Sequence, residues 1–207
     1  MDDAKNFIFR TEDIRPEEIL SLFVPTERDR QLIAGLKSPT PFIIEGSRGT
    51  GKSFLMRVCE QEQELESETS KVIPVYVSFV RSSLLNAKNE HQFQSWMLAR
   101  LASRVLRTLQ QHGLLAQPTI STKLLAGGDF EHPEKKTELE LVAERFEDSF
   151  KSPGVEVDAS AVPDVEAFKD AIQDICDQLG IRRFNVLFDE AAHIFRPEQQ
   201  RQFFTLF

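Results

Sequence analysis

The stretch Gly46-Ser47-Arg48-Gly49-Thr50-Gly51-Lys52-Ser53 decides the fold of this chain. It matches the pattern G-x-x-x-x-G-K-[ST] at every fixed position, which is the pattern of a phosphate-binding P-loop. Glycines let backbone N–H groups point inward at a phosphate, and the helix expected to begin near Lys52 adds the positive end of its dipole. The stretch therefore predicts a nucleotide-phosphate site. The alternative is a glycine turn before an ordinary helix.

The flanks of the loop favour the functional interpretation. The apolar run at 41–45 predicts a strand, and residues 54–60 predict a helix, which is the order that a P-loop requires. Lys52 is predicted to contact the β- and γ-phosphates of ATP in a catalytic role, and the Ser53 hydroxyl to hold Mg²⁺. The predicted ATP-binding residues are Gly46, Ser47, Arg48, Gly49, Thr50, Gly51, Lys52, Ser53 and Phe54.

A second motif lies at 184–190, where an apolar run ends in two carboxylates. The run predicts a buried parallel strand that brings Asp189 and Glu190 to the carboxyl edge of a sheet, where ligands of open α/β sheets bind. Asp189 is predicted to hold Mg²⁺, directly or through water, and Glu190 to polarise the attacking water as general base. Alone, such a run is typical of a strand end followed by a helix cap. His193 follows one residue too late for a D-E-A-H box, so no catalytic role is assigned to it.

Composition places the chain among ordinary globular proteins. Its 207 residues are 41% hydrophobic and 28% charged, which suffices for one sizeable α/β core. No apolar run approaches the roughly 20 residues of a membrane helix, and the N-terminus lacks a signal pattern, so no membrane association is expected. Cys59 and Cys176 lie in helical patterns and predict buried thiols in the cytoplasm. The net charge of −8 argues against a general nucleic-acid coat but leaves room for a local basic patch.

The rest of the chain divides into recognisable segments. Residues 1–22 are interpreted as an N-terminal extension and 23–207 as the P-loop domain, with a helical elaboration at about 113–163. Residues 72–80 predict a strand, in which Pro74 needs either a position that donates no hydrogen bond or the start of the strand. Periodicity predicts helices over 91–111 and about 164–179, the latter capped by Gly180. Thr26 predicts a helix N-cap, and a last helix is expected from Pro197.

Three arginines form a stripe beside the apolar face of the 91–111 helix: Arg100, Arg104 and Arg107. We interpret the stripe as a solvated face with carboxylate partners, and a nucleic-acid or protein contact is the alternative.

Together these elements predict an α/β fold with three layers, in which helices cover both faces of a mostly parallel sheet. Three strands are expected, at 41–45, 72–80 and 184–189. Sheets of this kind usually have five or more strands. The chain is therefore interpreted as truncated after the second motif and its helix, either as a fragment or as one chain of an assembly whose partner completes the sheet.

These motifs resemble the N-terminal part of an AAA+ ATPase, nearest the origin-recognition and Cdc6-like branch, over about 20–60 and 184–200. The resemblance implies that the segment around Val24 and Pro25 lines the adenine pocket. It also implies self-association. The sensor residue, arginine finger and helical lid of that family have no place in the sequence, so hydrolysis activated in trans is not assigned to this chain alone.

Two functions remain open. The first is an ATPase that couples MgATP hydrolysis to conformational change or assembly, with DNA as an open partner in the role of a loader, a transposition helper or a bacterial defence ATPase. The second is a nucleotide-gated interaction module with little turnover. A small-molecule kinase is weaker because no acceptor pocket or lid is identified, and an intact P-loop disfavours a degenerate scaffold. The expected partners are ATP and a second copy or another protein that completes the site.

Overall fold

The computed structural model describes residues 11–81, 90–115, 117–129, 135–149, 156–191 and 197–206. A short 3-10 helix, Thr11–Asp13, precedes the regular elements. These elements are α1 (Pro16–Leu22), α2 (Glu27–Leu36), α3 (Lys52–Ser70), β1 (Val72–Ser78), α4 (Glu90–Gln111), α5 (Ile120–Ala126), α6 (Glu138–Asp148), α7 (Val165–Leu179), β2 (Arg183–Asp189) and α8 (Pro197–Phe204). Within these residues, no helix is both long enough and apolar enough to cross a membrane.

The described residues form one sheet of two parallel strands. Its register runs from Val72 opposite Arg183 to Ser78 opposite Asp189. Backbone bonds continue at both ends, because the N–H of Arg182 donates to the Lys71 carbonyl over 2.7 Å and the N–H of Phe79 donates to the Asp189 carbonyl over 2.9 Å. Because backbone groups alternate sides along a strand, odd-numbered residues of β1 face β2 and Pro74 lies on the outer edge. The prediction that Pro74 occupies a position without a donated bond is confirmed.

The predicted strand at 41–45 is wrong. These residues have no regular secondary structure, and the side chains of Phe42 and Ile43 are 44% and 68% exposed. A strand exists only beside a hydrogen-bonded neighbour, and none of the described residues pairs with this segment. Phe42 packs instead on α2, where its ring lies so close to Gly35 that a Cβ atom there would meet it at 2.6 Å. The mixed fold with a parallel strand pair remains compatible with an α/β P-loop protein.

Apolar clusters lie on the two faces of the sheet because side chains alternate along each strand. One cluster joins α1, α2 and α3 to the sheet through Tyr76 and Leu187. The larger cluster joins α4, α5, α6 and α7 to the opposite face, which presents Ile73, Val75 and Val77. Helices therefore pack on both faces of the strand pair.

Local sequence signals fix several helix ends as predicted. Thr26 caps α2 in a reciprocal capping box with Asp29, and Gly180 ends α7 with a left-handed φ of 64°. The predicted helices over 91–111, 164–179 and from Pro197 correspond to α4, α7 and α8. Within 113–163, α5 and α6 place Leu125, Val142 and Phe146 in the larger core cluster. The domain boundaries remain predictions.

The arginine stripe of α4 is engaged inside the fold. Arg107 forms a 2.7 Å ion pair with Glu140, and Arg100 lies 3.5 Å from Glu147. Arg104 donates instead to the Tyr76 carbonyl over 2.9 Å, which covers part of the outer edge of β1. The expected carboxylate partners are confirmed for two of the three arginines, but the face is partly buried and not fully solvated.

Candidate nucleotide-binding site

The glycine loop curls because two of its residues have left-handed backbone conformations. Gly49 has a φ of 85° and Gly51, the N-cap of α3, a φ of 82°. A Cβ atom at either position would have no neighbour within 4 Å, so glycine is favoured there by backbone conformation and not by crowding. The loop from 46 to 51 is exposed to solvent. Its backbone N–H groups are therefore placed where a ligand has access to them.

Lys52 holds the loop together from the first turn of α3. Its Nζ donates to the carbonyls of Gly46 and Ser47 over 2.8 and 2.7 Å, and the Thr50 hydroxyl donates to the same Ser47 carbonyl over 2.9 Å. These bonds position the ammonium group at the mouth of the loop. The first turn of α3 contains no acidic side chain, so nothing on it offsets the positive end of the helix dipole. The arrangement suits a polyphosphate anion.

Asp189 ends β2 on the sheet face that packs against α3. The residue is only 5% exposed, and both carboxylate oxygens accept hydrogen bonds. Oδ1 accepts from the Glu190 backbone N–H over 2.8 Å, and Oδ2 accepts from the Tyr76 hydroxyl. Glu190 follows with a φ of 57°, which a residue with a side chain seldom adopts. The backbone thus turns sharply where the second predicted carboxylate begins.

Tyr76 is the site residue that sequence reasoning missed. Tyr76 lies opposite Leu187 in the register. Leu187 precedes Asp189 by two residues, so the side chains of Tyr76 and Asp189 lie on the same face of the sheet. Burial, and then the hydrogen bond to Asp189, raise the pKa of its phenol well above the ordinary value of about 10, so the hydroxyl stays protonated. The only available signal was a lone tyrosine among aliphatic residues in β1.

A direct chain of contacts joins the loop helix to Asp189. Arg57, one turn after Ser53 on α3, places its guanidinium 3.6 Å from the centre of the Tyr76 ring. The same guanidinium forms a 2.7 Å ion pair with Glu60. Next to this chain, Leu55 of α3 and Leu187 of β2 share one apolar cluster. The structure therefore packs the helix of the first motif against the strand of the second.

The segment expected to line the adenine pocket lies beside the start of α3. The Phe23 ring meets the Phe54 ring edge-on, with centroids 6.1 Å apart. The next residue, Val24, leaves 87% of its side chain exposed, and Pro25 is partly exposed. An apolar surface open to solvent thus adjoins the glycine loop. His193 lies outside the described residues.

The donor set fits Mg²⁺. This ion prefers oxygen ligands, usually one or two carboxylates completed by phosphates and water. Asp189 and the Ser53 hydroxyl supply such oxygens from two elements that pack together. In the described part of the chain, no group of three or more His, Cys, Asp or Glu side chains gathers in a protein-only metal cage. The oxygen donors of Asp189 and Ser53 suit a magnesium ion that is shared with the phosphates of a nucleotide.

Fold and site define the chain as a P-loop protein of the α/β class. The model of the ORC-CDC6-like family matches residues 6–207, almost the whole sequence, and the chain therefore belongs to that family. No curated protein and no solved structure matches it. The resemblance drawn from the motifs is confirmed. Membership implies nucleotide binding of the AAA+ ATPase type in general terms.

Proposed function

We propose that the chain binds MgATP at residues 46–53 and hydrolyses it, coupling binding and hydrolysis to conformational change or assembly in the cytoplasm. One observation carries the proposal. The Lys52 ammonium is held by two loop carbonyls at an uncompensated helix N-terminus, and that helix packs against the strand that ends in Asp189. A glycine turn before an ordinary helix would not require this lysine geometry.

Each residue then has a chemical task. Loop N–H groups and Lys52 stabilise negative charge on the β- and γ-phosphates. Ser53 and Asp189 hold Mg²⁺, which when bound neutralises charge that develops on the transferred phosphoryl group. Glu190 orients the attacking water and accepts its proton. Val24, Pro25 and Phe54 offer apolar surface to the adenine ring.

The proposal extends to the whole assembly. A three-layer arrangement accounts for helices on both faces of the sheet. Self-association or a partner protein completes the nucleotide site. DNA is a further candidate partner. For it, the α4 arginines offer no argument, since all three are engaged within the protein.

A nucleotide-gated module with little turnover is the second candidate. It is favoured by Asp189, whose two oxygens both accept hydrogen bonds from the protein. A carboxylate held in this way binds metal without any requirement for rapid chemistry. ATP would then stabilise one conformation that a partner recognises.

Calorimetric ATP titration and steady-state hydrolysis with Mg²⁺ test the two candidates. Lys52→Ala should weaken ATP binding by about a hundredfold, because a charged group that contacts the phosphates is lost. Glu190→Gln should keep binding but lower turnover by about a hundredfold or more. Lys136→Ala is the matched control, since Lys136 pairs with Glu144 on the exposed face of α6.

The two candidate functions predict different results in these assays. Turnover that both variants lose supports the ATPase. Binding without turnover in the wild-type chain favours the gated module. Unchanged ATP affinity in the Lys52→Ala chain, relative to the wild type, would contradict the site itself.

A further inference from the structure

Within the described part of the chain, Tyr76 supplies a buried hydroxyl that contacts the proposed metal ligand, and the proposed roles leave it unused. Its hydroxyl donates to Oδ2 of Asp189 although the two residues lie 113 positions apart in the sequence. The other oxygen of Asp189 is held by the Glu190 backbone. One bond comes from the neighbouring strand and one from the turn, so together they fix the rotamer of the carboxylate.

The Tyr76 ring is itself held in place. The Arg57 guanidinium stacks over one face at 3.6 Å, and Glu60, only 8% exposed, anchors that guanidinium by an ion pair. On the backbone side, the Tyr76 carbonyl accepts from Arg104. The ring is thus held by α3, and the backbone of β1 at this residue is held by α4.

We infer that Tyr76 is a positioning residue for magnesium: its hydroxyl orients Asp189, and Arg57 links that orientation to the helix that begins at the glycine loop. Carboxylate ligands of metals are commonly oriented by hydrogen bonds from groups that do not touch the ion. The hydroxyl and the Glu190 N–H each hold one oxygen of Asp189, so a bound Mg²⁺ would meet the remaining lone pairs of a carboxylate whose orientation is already restricted. The inference rests on the proposed function.

The test is the gain in ATP affinity that Mg²⁺ provides. A fluorescent ATP analogue is titrated into each variant of the full chain, once with excess Mg²⁺ and once in EDTA, and the two dissociation constants are compared. Tyr76→Phe should reduce the Mg²⁺-dependent gain about tenfold and leave affinity in EDTA unchanged. General damage to the fold would weaken binding in both conditions. Ser103→Ala is the control, since it removes a buried hydroxyl that donates within α4, to the Ala99 carbonyl.

A double-mutant cycle with Asp189→Asn shows whether Tyr76 acts through this carboxylate. In the Asp189→Asn background, Tyr76→Phe should cause no further loss of the Mg²⁺-dependent gain. Losses that multiply in the double variant would overturn the inference, as would an unchanged gain in Tyr76→Phe. A wild-type chain that binds no analogue in either condition would contradict the proposed function instead.

Arg57→Gln provides an independent variant if Tyr76→Phe does not fold. It keeps the hydroxyl but removes the guanidinium that holds the ring. The expected result is a loss of about threefold in the Mg²⁺-dependent gain, smaller than for loss of the hydrogen bond itself. If loss of the Arg57 charge weakens ATP binding in general, it does so both with Mg²⁺ and in EDTA. That effect therefore cancels in the ratio of the two dissociation constants. An unchanged ratio in this variant would overturn the inference.

Discussion

Gly51 enters helix α3 with a φ of 82°, and this left-handed conformation sets the direction of the first N–H groups of the helix. We expect Gly51→Ala to lower the free energy of unfolding by about 1 kcal/mol, because an L side chain is disfavoured there although nothing obstructs it. The loop should relieve that strain by changing its backbone conformation. Because this moves the N–H groups that are proposed to bind the phosphates, ATP affinity should fall about tenfold. Urea denaturation and ATP titration measure the two effects.

Gly113 offers a matched control for this substitution. Its φ is 66°, and a Cβ atom there would also have no neighbour within 4 Å, but it follows α4, outside the glycine loop. Gly113→Ala should therefore cost similar stability and leave ATP affinity unchanged. Equal losses of affinity in the two variants would show that strain alone, and not loop geometry, governs binding.

At the residue scale, sequence reasoning found the groups that act locally. The glycine loop and its lysine lie within eight consecutive residues, so spacing alone predicts where they meet. Their contacts agree with that prediction, while their roles remain proposals. Tyr76 was missed because its contact with Asp189 depends on the pairing of two distant strands. No local pattern specifies which side chain of β1 contacts the carboxylate at the end of β2.

At the element scale, α6 is tied to α4 by a buried carboxylate. Glu147, 4% exposed, accepts from Trp96 Nε1 over 3.2 Å and from Arg81 over 2.7 Å, with Arg100 3.5 Å away. Glu147→Ala should lower the free energy of unfolding by about 2–3 kcal/mol, because it leaves the indole N–H unsatisfied and removes the partner of two arginines. The expected loss is smaller than for a fully buried ion pair because Arg81 is exposed to solvent. Chemical denaturation measures the loss.

An exposed ion pair on the same helix provides the comparison. Glu144 pairs with Lys136 in solvent, so Glu144→Ala should change stability by less than about 0.5 kcal/mol. Glu147→Gln should fall between the two, since an amide oxygen still accepts from Trp96 but no longer carries charge. A loss for Glu147→Ala no larger than for Glu144→Ala would mean that the buried carboxylate contributes nothing to the contact between the helices.

Helices with a strong apolar periodicity could be predicted from the sequence, whereas the run at 41–45, whose pairing depends on a distant neighbour, was predicted wrongly. The apolar repeat predicts α4, and the capping residues predict where α2 begins and where α7 ends. The run at 41–45 has strand composition, but composition cannot supply a hydrogen-bonding partner. Its Phe42 packs on Gly35 instead, which only the position of α2 explains.

For the whole molecule, the strand pair is shared by both apolar clusters. Tyr76 and Leu187 belong to the cluster beneath α1–α3, while Ile73, Val75 and Val77 belong to the other. Opening either cluster exposes one face of the same two strands. We therefore expect the helices on the two faces to unfold together and not as independent units.

The two cysteines test that expectation, because each reports on one cluster. Cys59 lies on the α3 face and Cys176 in the larger cluster, and burial raises the pKa of both thiols, that of Cys59 to about 12. Because both thiols are buried and held in the protonated form, a disulfide reagent should react only slowly with the native chain. In increasing urea, the single-thiol variants Cys59→Ala and Cys176→Ala should become reactive at the same midpoint after correction for any shift in stability. If the thiol of Cys59 reacts at clearly lower urea than that of Cys176, the α1–α3 face opens on its own, and the shared strand pair does not couple the two cores.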